Sequence, residues 1–176
     1  WFNCSCCPSN VVRFIPSIPG YVYAVRDSDL YVNLFLAGSA TIDLDGQQVE
    51  IVQETDYPCS GRIRISVDSQ SPARFAMRVR IPGWSRGSVL PSDLYRYQDE
   101  RAESWSLRVN GQPVASTLHE GYAVLDRSWK PGDVVELDLP MPVRRVLANE
   151  QIKFDRGRVA VERGPLVYCV EGADHD

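Results

Sequence analysis

A chain of 176 residues with 44% hydrophobic content has enough material for one main folding unit with a real core. Its 19 basic and 23 acidic residues are interspersed and sum to a net charge of -4. That balance builds no basic face for phosphate backbones or anionic lipid, so nucleic acid and membrane are not expected as partners.

The N-terminus lacks the charged-then-apolar order of a signal peptide, and no apolar run approaches the roughly 18 residues of a membrane helix. The chain opens on Trp1 rather than Met and closes at Asp176 without a terminal pattern. Both ends are therefore expected to be cuts in a longer protein. The first predicted element is a short helix over about residues 8–15, with Pro8 suited to a first helical position and Pro16 stopping continuation. Cys6 and Cys7 would sit at its start, where backbone amides and the helix dipole favour anions, thiolates included. Pro16-Ser17-Ile18-Pro19-Gly20 reads as a stiff link from this helix into the strands.

From Tyr21 onward the pattern is all-β. Tyr21 to Val25 and Leu30 to Leu36 flank a polar hairpin connection, and Ala40 to Leu44 and Gln48 to Val52 flank Asp45-Gly46, a second hairpin signal. Arg62 to Val67 and Phe75 to Ile81 alternate strictly, as a strand with one buried and one wet face does. The charged, Gly- and Pro-containing stretch from Ser85 to Glu103 reads as a long loop or insertion. Six further short runs come after it, at Ser106 to Val109, Tyr122 to Leu125, Val134 to Leu139, Val143 to Leu147, Val159 to Val161 and Leu166 to Val170. Short strands at this spacing predict an antiparallel β-sandwich of two sheets.

Cys4-Ser5-Cys6-Cys7-Pro8 is the sharpest chemical feature. Three thiols within four residues suit a soft metal such as zinc, but tetrahedral zinc needs four ligands and so short a segment supplies two or three at most. The residues alone leave a metal or catalytic cluster and buried thiols as open alternatives. Five cysteines, odd in number and crowded at one end, do not suit a disulfide framework, and isolated Cys59 and Cys169 are expected to be buried and structural. His119 and His175 stand apart from any motif, so no Cys-His dyad is claimed. Glu54, Glu120, Glu136 and Glu162 sit in strand or turn contexts where solvated faces are the default. Trp1, Trp84, Trp105 and Trp129 could stack on sugar rings, but packing at core or rim is the expectation in a small sandwich.

The segment CSCCPSNVVRFIPSIPGYVYA, together with RIPGW ending at Trp84, LRVNGQPV, GYAVLDRSWKPGDVVELDLPMPVRRV and GRVAVERGPLVYCVEG, resembles the β-L-arabinofuranosidases of glycoside hydrolase family 127 over nearly the whole chain. The resemblance implies that residues 1–20 are the end of a catalytic (α/α)6 barrel and that residues 21–176 are a truncated β-sandwich packed on it. It implies that Cys6 is the nucleophile and also contacts the metal, and that Cys7 is a zinc ligand. The remaining ligands, from a Glu-x-Cys motif, and the acid/base glutamate would lie upstream of this chain. It further implies a carbohydrate substrate, an L-arabinofuranoside, hydrolysed with retention, and a homodimer as a possible state of the full-length protein. Ser9 departs from the family's CCPP pattern but leaves both thiols in place. A zinc-bound thiolate prefers a reducing compartment, which points to the cytoplasm.

Two rival readings stand beside this one. The sandwich could be a non-catalytic module, carbohydrate-binding or architectural, and the architectural role is the expectation for residues 21–176. Alternatively, all five cysteines could serve a free-standing zinc protein.

Overall fold

Strands form where β-branched and charged residues alternate, because such a pattern can bury one face and wet the other. The computed structural model describes residues 5–99 and 104–169. Within them, one sheet runs in the order β1 (Tyr23–Arg26), β2 (Asp29–Val32), β6 (Ala73–Arg80), β11 (Tyr122–Trp129), β10 (Thr117–His119). A second runs β3 (Gly38–Leu44), β4 (Gln47–Thr55), β5 (Arg62–Ser69), β12 (Asp133–Asp138), β8 (Ser106–Val109), β9 (Gln112–Pro113). Every pairing in both is antiparallel except β2 with β6, which run parallel with Leu30 opposite Met77.

The two sheets close on one apolar layer. Leu30, Val32, Met77, Val79 and Ala123 from the first sheet and Val49, Ile51, Ile65, Val67 and Val135 from the second are completely shielded from solvent. Removing that surface from water, at about 25 cal/mol per Å², is the main force holding the sheets together. Trp129 is also fully buried, its ring stacked 5.6 Å from Phe75 and its Nε1 donating 3.1 Å to the Phe75 carbonyl. One polar tie crosses the layer: Gln53, on β4, donates 2.9 Å to the Tyr23 hydroxyl on β1.

Two hairpin turns arise from residue type. Asp45-Gly46 and Asn110-Gly111 have φ of 54° and 83°, and 52° and 75°, values that a two-residue turn between twisted strands demands and that Gly, Asn and Asp tolerate best. Asn110 is held further by its side chain, which donates 2.8 Å to Asp133 Oδ1 and accepts 2.9 Å from the Val134 amide. Asp133 Oδ2 in turn accepts the Lys130 amide at 2.9 Å.

The structure departs from the sequence reading in three places. First, a third sheet lies beyond the sandwich, in the order β15 (Leu166–Tyr168), β14 (Ala160–Arg163), β13 (Val143–Ala148), β7 (Tyr95–Tyr97). β7 comes from the stretch read as a loop; three residues are too few to show a period. Second, this sheet buries charge. Arg144 lies 3.3 Å over the Tyr97 ring and donates to Asp99 Oδ1 and to the Asp99 carbonyl at 2.8 Å, and the Tyr97 hydroxyl donates to Glu162. Glu162 is thus buried, not solvated, with the Tyr97 hydroxyl as its hydrogen-bond donor. Burial first, then the adjacent Glu162 carboxylate, pushes the Tyr97 hydroxyl well above the usual tyrosine range. Third, the N-terminal helix α1 spans Cys6–Phe14, starting two residues earlier than expected, and the stiff proline-rich link takes the form of a 3-10 helix over Ile15–Tyr21. Pro16 occupies the first turn of that element, where its missing N–H costs nothing.

No helix among the described residues is long and apolar enough to cross a membrane. Within the sandwich the backbone before β5 and the backbone after β12 meet closely at Gly61, where an added Cβ would stand 1.8 Å from the Leu139 carbonyl oxygen. Gly61→Ala is therefore expected to lower unfolding stability by about 1–3 kcal/mol in urea titration. Gly20→Ala, with nothing within 4 Å, serves as the neutral control, and equal midpoints for the two variants would contradict the close approach.

Asp133 gives a pH prediction. Burial opposes its charge, but the Lys130 amide, the Asn110 side chain and the nearby Arg127 and Lys130 charges outweigh burial and hold the carboxyl below its ordinary 3.8. A folded-state pKa below the unfolded one stabilises the fold above the unfolded value, and that contribution vanishes as pH falls through the folded value. Asp133→Asn should thus be less stable than the parent at neutral pH, with the gap closing below about pH 4. Urea midpoints at neutral and acid pH measure it, and a gap that stays constant would refute the account.

Candidate thiol site on the N-terminal helix

The first turn of α1 carries the two cysteines described by the structure in this motif; Cys4 lies outside the described residues. Ser5 occupies the N-cap position, so Cys6 and Cys7 are the first two helical residues and Pro8 the third. Ser9 reinforces the turn through its hydroxyl, which donates 2.9 Å to the Ser5 carbonyl and 3.1 Å to the Cys6 carbonyl. The single hydroxyl proton of Ser9 is thus shared between two carbonyls of the thiol-bearing turn. Arg13 donates 2.7 Å to Asn10 Oδ1 further along the helix.

Cys6 Sγ and Cys7 Sγ stand 3.7 Å apart, and both residues are exposed. A disulfide requires about 2.05 Å, so the pair is not bridged. Two thiolates on one tetrahedral centre with bonds of about 2.3 Å are separated by roughly 3.8 Å, the edge of that tetrahedron. The observed spacing fits that edge. The described residues contain no group of three or more His, Cys, Asp or Glu side chains arranged to hold a metal. The described residues thus bring two sulfurs to within 3.7 Å and place no third such side chain beside them.

Cys59 and Cys169 do not join it. Both are exposed free thiols, which corrects the expectation that they are buried. Cys59 sits in the turn after β4, its amide bonded to the Asp56 carbonyl and its own carbonyl accepting Arg163 at 3.1 Å. Cys169 comes directly after β15. His119 is an exposed side chain 3.9 Å from Glu120. Glu54 and Glu136 flank Arg64 on the solvated face of the second sheet. Of the tryptophans, Trp129 belongs to the core, Trp84 and Trp105 pack at its margin, and Trp1 lies outside the described residues.

No residue of α1 is buried: Val11, Val12 and Phe14, and Ile15 just beyond them, are all more than half exposed. The chain is tethered to the sandwich past the 3-10 helix into which α1 continues. The Val22 carbonyl accepts the Asn33 amide at 2.8 Å, and the Asn33 side chain accepts the Tyr122 hydroxyl at 2.9 Å.

Two family models divide the strand-bearing part of the chain between them. The model for the β-L-arabinofuranosidase, GH127 middle domain matches residues 29–141, and that for the glycoside hydrolase family 127 C-terminal domain matches residues 143–176. The chain belongs to glycoside hydrolase family 127. A non-reducing end β-L-arabinofuranosidase of Bifidobacterium longum subsp. longum is 38% identical over 99% of this chain and 24% of its own length. A solved GH127 β-arabinofuranosidase superposes with a TM-score of 0.94 at 52% identity, covering 99% of this chain and 27% of that one. Another, a GH127 β-L-arabinofuranosidase from Geobacillus stearothermophilus T6, gives 0.85 at 38% identity, covering 99% and 25%. The chain thus spans about a quarter of the length of these family 127 relatives. The boundary between the two family models falls at residue 142, between the last strand of the sandwich and β13 of the third sheet.

Proposed function

We propose that this chain is part of a retaining glycoside hydrolase that releases β-L-arabinofuranose from the non-reducing ends of arabinose-containing glycans. Cys6 is its nucleophile and Cys7 a ligand of a structural and activating zinc ion. The observation that carries the reading is the 3.7 Å separation of two exposed sulfurs in one helical turn, within a chain whose relatives are β-L-arabinofuranosidases. The Cys6 and Cys7 sulfurs would hold the zinc from one edge, and a Glu-x-Cys pair outside this chain would supply the other two donors. When bound, zinc keeps a thiol in its thiolate form at neutral pH and fixes its direction.

In the first displacement the Cys6 sulfur forms a bond to the anomeric carbon as the bond to the glycosidic oxygen breaks. A carboxylic acid outside this chain gives its proton to the departing oxygen. In the second, that carboxylate takes a proton from water, the water oxygen bonds to the anomeric carbon, and the carbon–sulfur bond breaks to return the thiolate. Two inversions give net retention. The role of α1 is to present both sulfurs on a single turn, stiffened by Ser9 and anchored at Val22. Residues 21–176 are scaffold in this reading: β-sandwich and third sheet pack against the catalytic barrel and do no chemistry.

The sharpest check uses the full-length enzyme. Cys6→Ser should nearly abolish turnover of an aryl β-L-arabinofuranoside, because a hydroxyl does not replace the thiolate nucleophile, while the other three donors keep the zinc in greater part. Cys7→Ser should lose zinc together with activity, and Cys4→Ser should be far milder. If intact-mass analysis trapped a glycosyl adduct on the Cys6→Ser protein and not on Cys7→Ser, the two roles are reversed. A separate measurement concerns residues 1–176 alone, which should show no arabinofuranosidase activity and retain well under one zinc per chain after dialysis, since half the donor set and the acid are missing. Stoichiometric zinc in that sample would favour the free-standing zinc protein instead.

A further inference from the structure

A cleft of about 450 Å³ opens at one end of the sandwich, between the loop that comes after β6 and the turn that comes after β4. Its walls are aromatic and apolar, with Phe35, Tyr57 and Trp84 prominent, and Pro165 of the third sheet closes one side. Phe35 and Tyr57 meet edge to face at 5.4 Å, so the wall is rigid. Two positive groups, Arg80 and Arg86, line the same cleft, and no lining residue is acidic.

The charge is not compensated elsewhere. Among the described residues, Arg64, Arg74, Arg78 and Arg144 have carboxylate partners, whereas Arg80 and Arg86 have none. Arg86 is fixed instead by its Nε, which donates 3.1 Å to the Ile81 carbonyl and leaves the rest of the guanidinium for another acceptor. The Trp84 indole nitrogen is buried and has no hydrogen-bond partner among the described residues. Burial raises the pKa of the Tyr57 hydroxyl, while Trp84 and the Arg80 charge pull it partly back, so all three groups converge on one wall. A concave, mostly apolar site with a few convergent polar groups is the general form of a small-molecule pocket.

We infer that this cleft binds an acidic saccharide, with the carboxylate of a uronic acid residue on Arg80 and Arg86 and the sugar ring against Trp84 and Tyr57. In a chain of net charge -4, two guanidiniums lining one cleft without carboxylate partners select an anion, and their planar forks match a carboxylate. The aromatic faces select a body with apolar C–H surface, as one side of a pyranose ring has. The saccharide half of this inference rests on the glycosidase reading, and the anionic half on the cleft alone. Such a site would hold an acidic stretch of glycan while an arabinofuranosyl branch is processed elsewhere on the protein.

The test is calorimetric titration of the full-length Cys6→Ser protein, in which binding is read without turnover. The probes are digalacturonate and its neutral counterpart, digalactose. Digalacturonate should bind, and binding should weaken with salt. Digalactose, and digalacturonate with Arg80→Gln or Arg86→Gln, should each bind about tenfold more weakly or worse, the value of one lost charge-assisted pair. Thermal unfolding shows which arginine variants are folded, and either one suffices. Equal binding of the two disaccharides, binding indifferent to both arginines, or no binding of either probe overturns the inference, the last meaning that another segment of the longer polypeptide covers the cleft. Absence of arabinofuranosidase activity in the parent enzyme would overturn the glycosidase reading without touching these titrations.

Discussion

Exclusion of water from a single layer between two twisted sheets is the constraint on which the remaining structure depends. Eleven residues of that layer, Trp129 included, have no contact with solvent, and their strands cannot shift register by one position without turning them outward. Because β2, β6 and β11 are fixed in this way, the residues at their ends are fixed too. Tyr122 and Asn33 sit at such ends, and their hydrogen bond, continued by the Asn33 amide to the Val22 carbonyl, locates the point where the chain leaves the 3-10 helix. The exit of the 3-10 helix is therefore set from the core outward, through these hydrogen bonds.

The helix shows the complementary condition. With no buried residue and with Val11, Val12, Phe14 and Ile15 turned to solvent, α1 draws none of its stability from the described residues beyond the 3-10 segment it continues into. A nine-residue helix is marginal by itself in water. Its exposed apolar side chains are surface for packing against something outside the described residues, and under the function proposed above that is the catalytic barrel.

Much of the sandwich was legible because its signals are local. Asp45-Gly46 and Asn110-Gly111 announce tight turns, and the alternation of Arg62 to Val67 announces a strand with one buried face, whatever lies across from it. The features that escaped depend on partners distant in sequence. Tyr95 to Tyr97 is a strand only because β13 offers its edge, and Glu162 can be buried because the hydroxyl of Tyr97, 65 positions earlier, satisfies it. Cys59 looked like an ordinary buried thiol, yet the turn after β4 turns it outward. At the thiol site the converse held: the Cys6-Cys7 pair is conspicuous in sequence, while the 3.7 Å between its sulfurs, and the stiffening by Ser9, needed coordinates.

The path of β7 has a consequence for how this part of the protein can be divided. Residues 95–97 lie within the span of the middle-domain model, yet they form the edge strand of a sheet whose other three strands lie within the span of the C-terminal model. Tyr97 also brings into that sheet the hydroxyl that satisfies buried Glu162. Sequence modules and cooperative folding units thus do not coincide here. A cut at residue 142 would strip the downstream sheet of its edge strand and leave the Glu162 carboxylate without the Tyr97 hydroxyl.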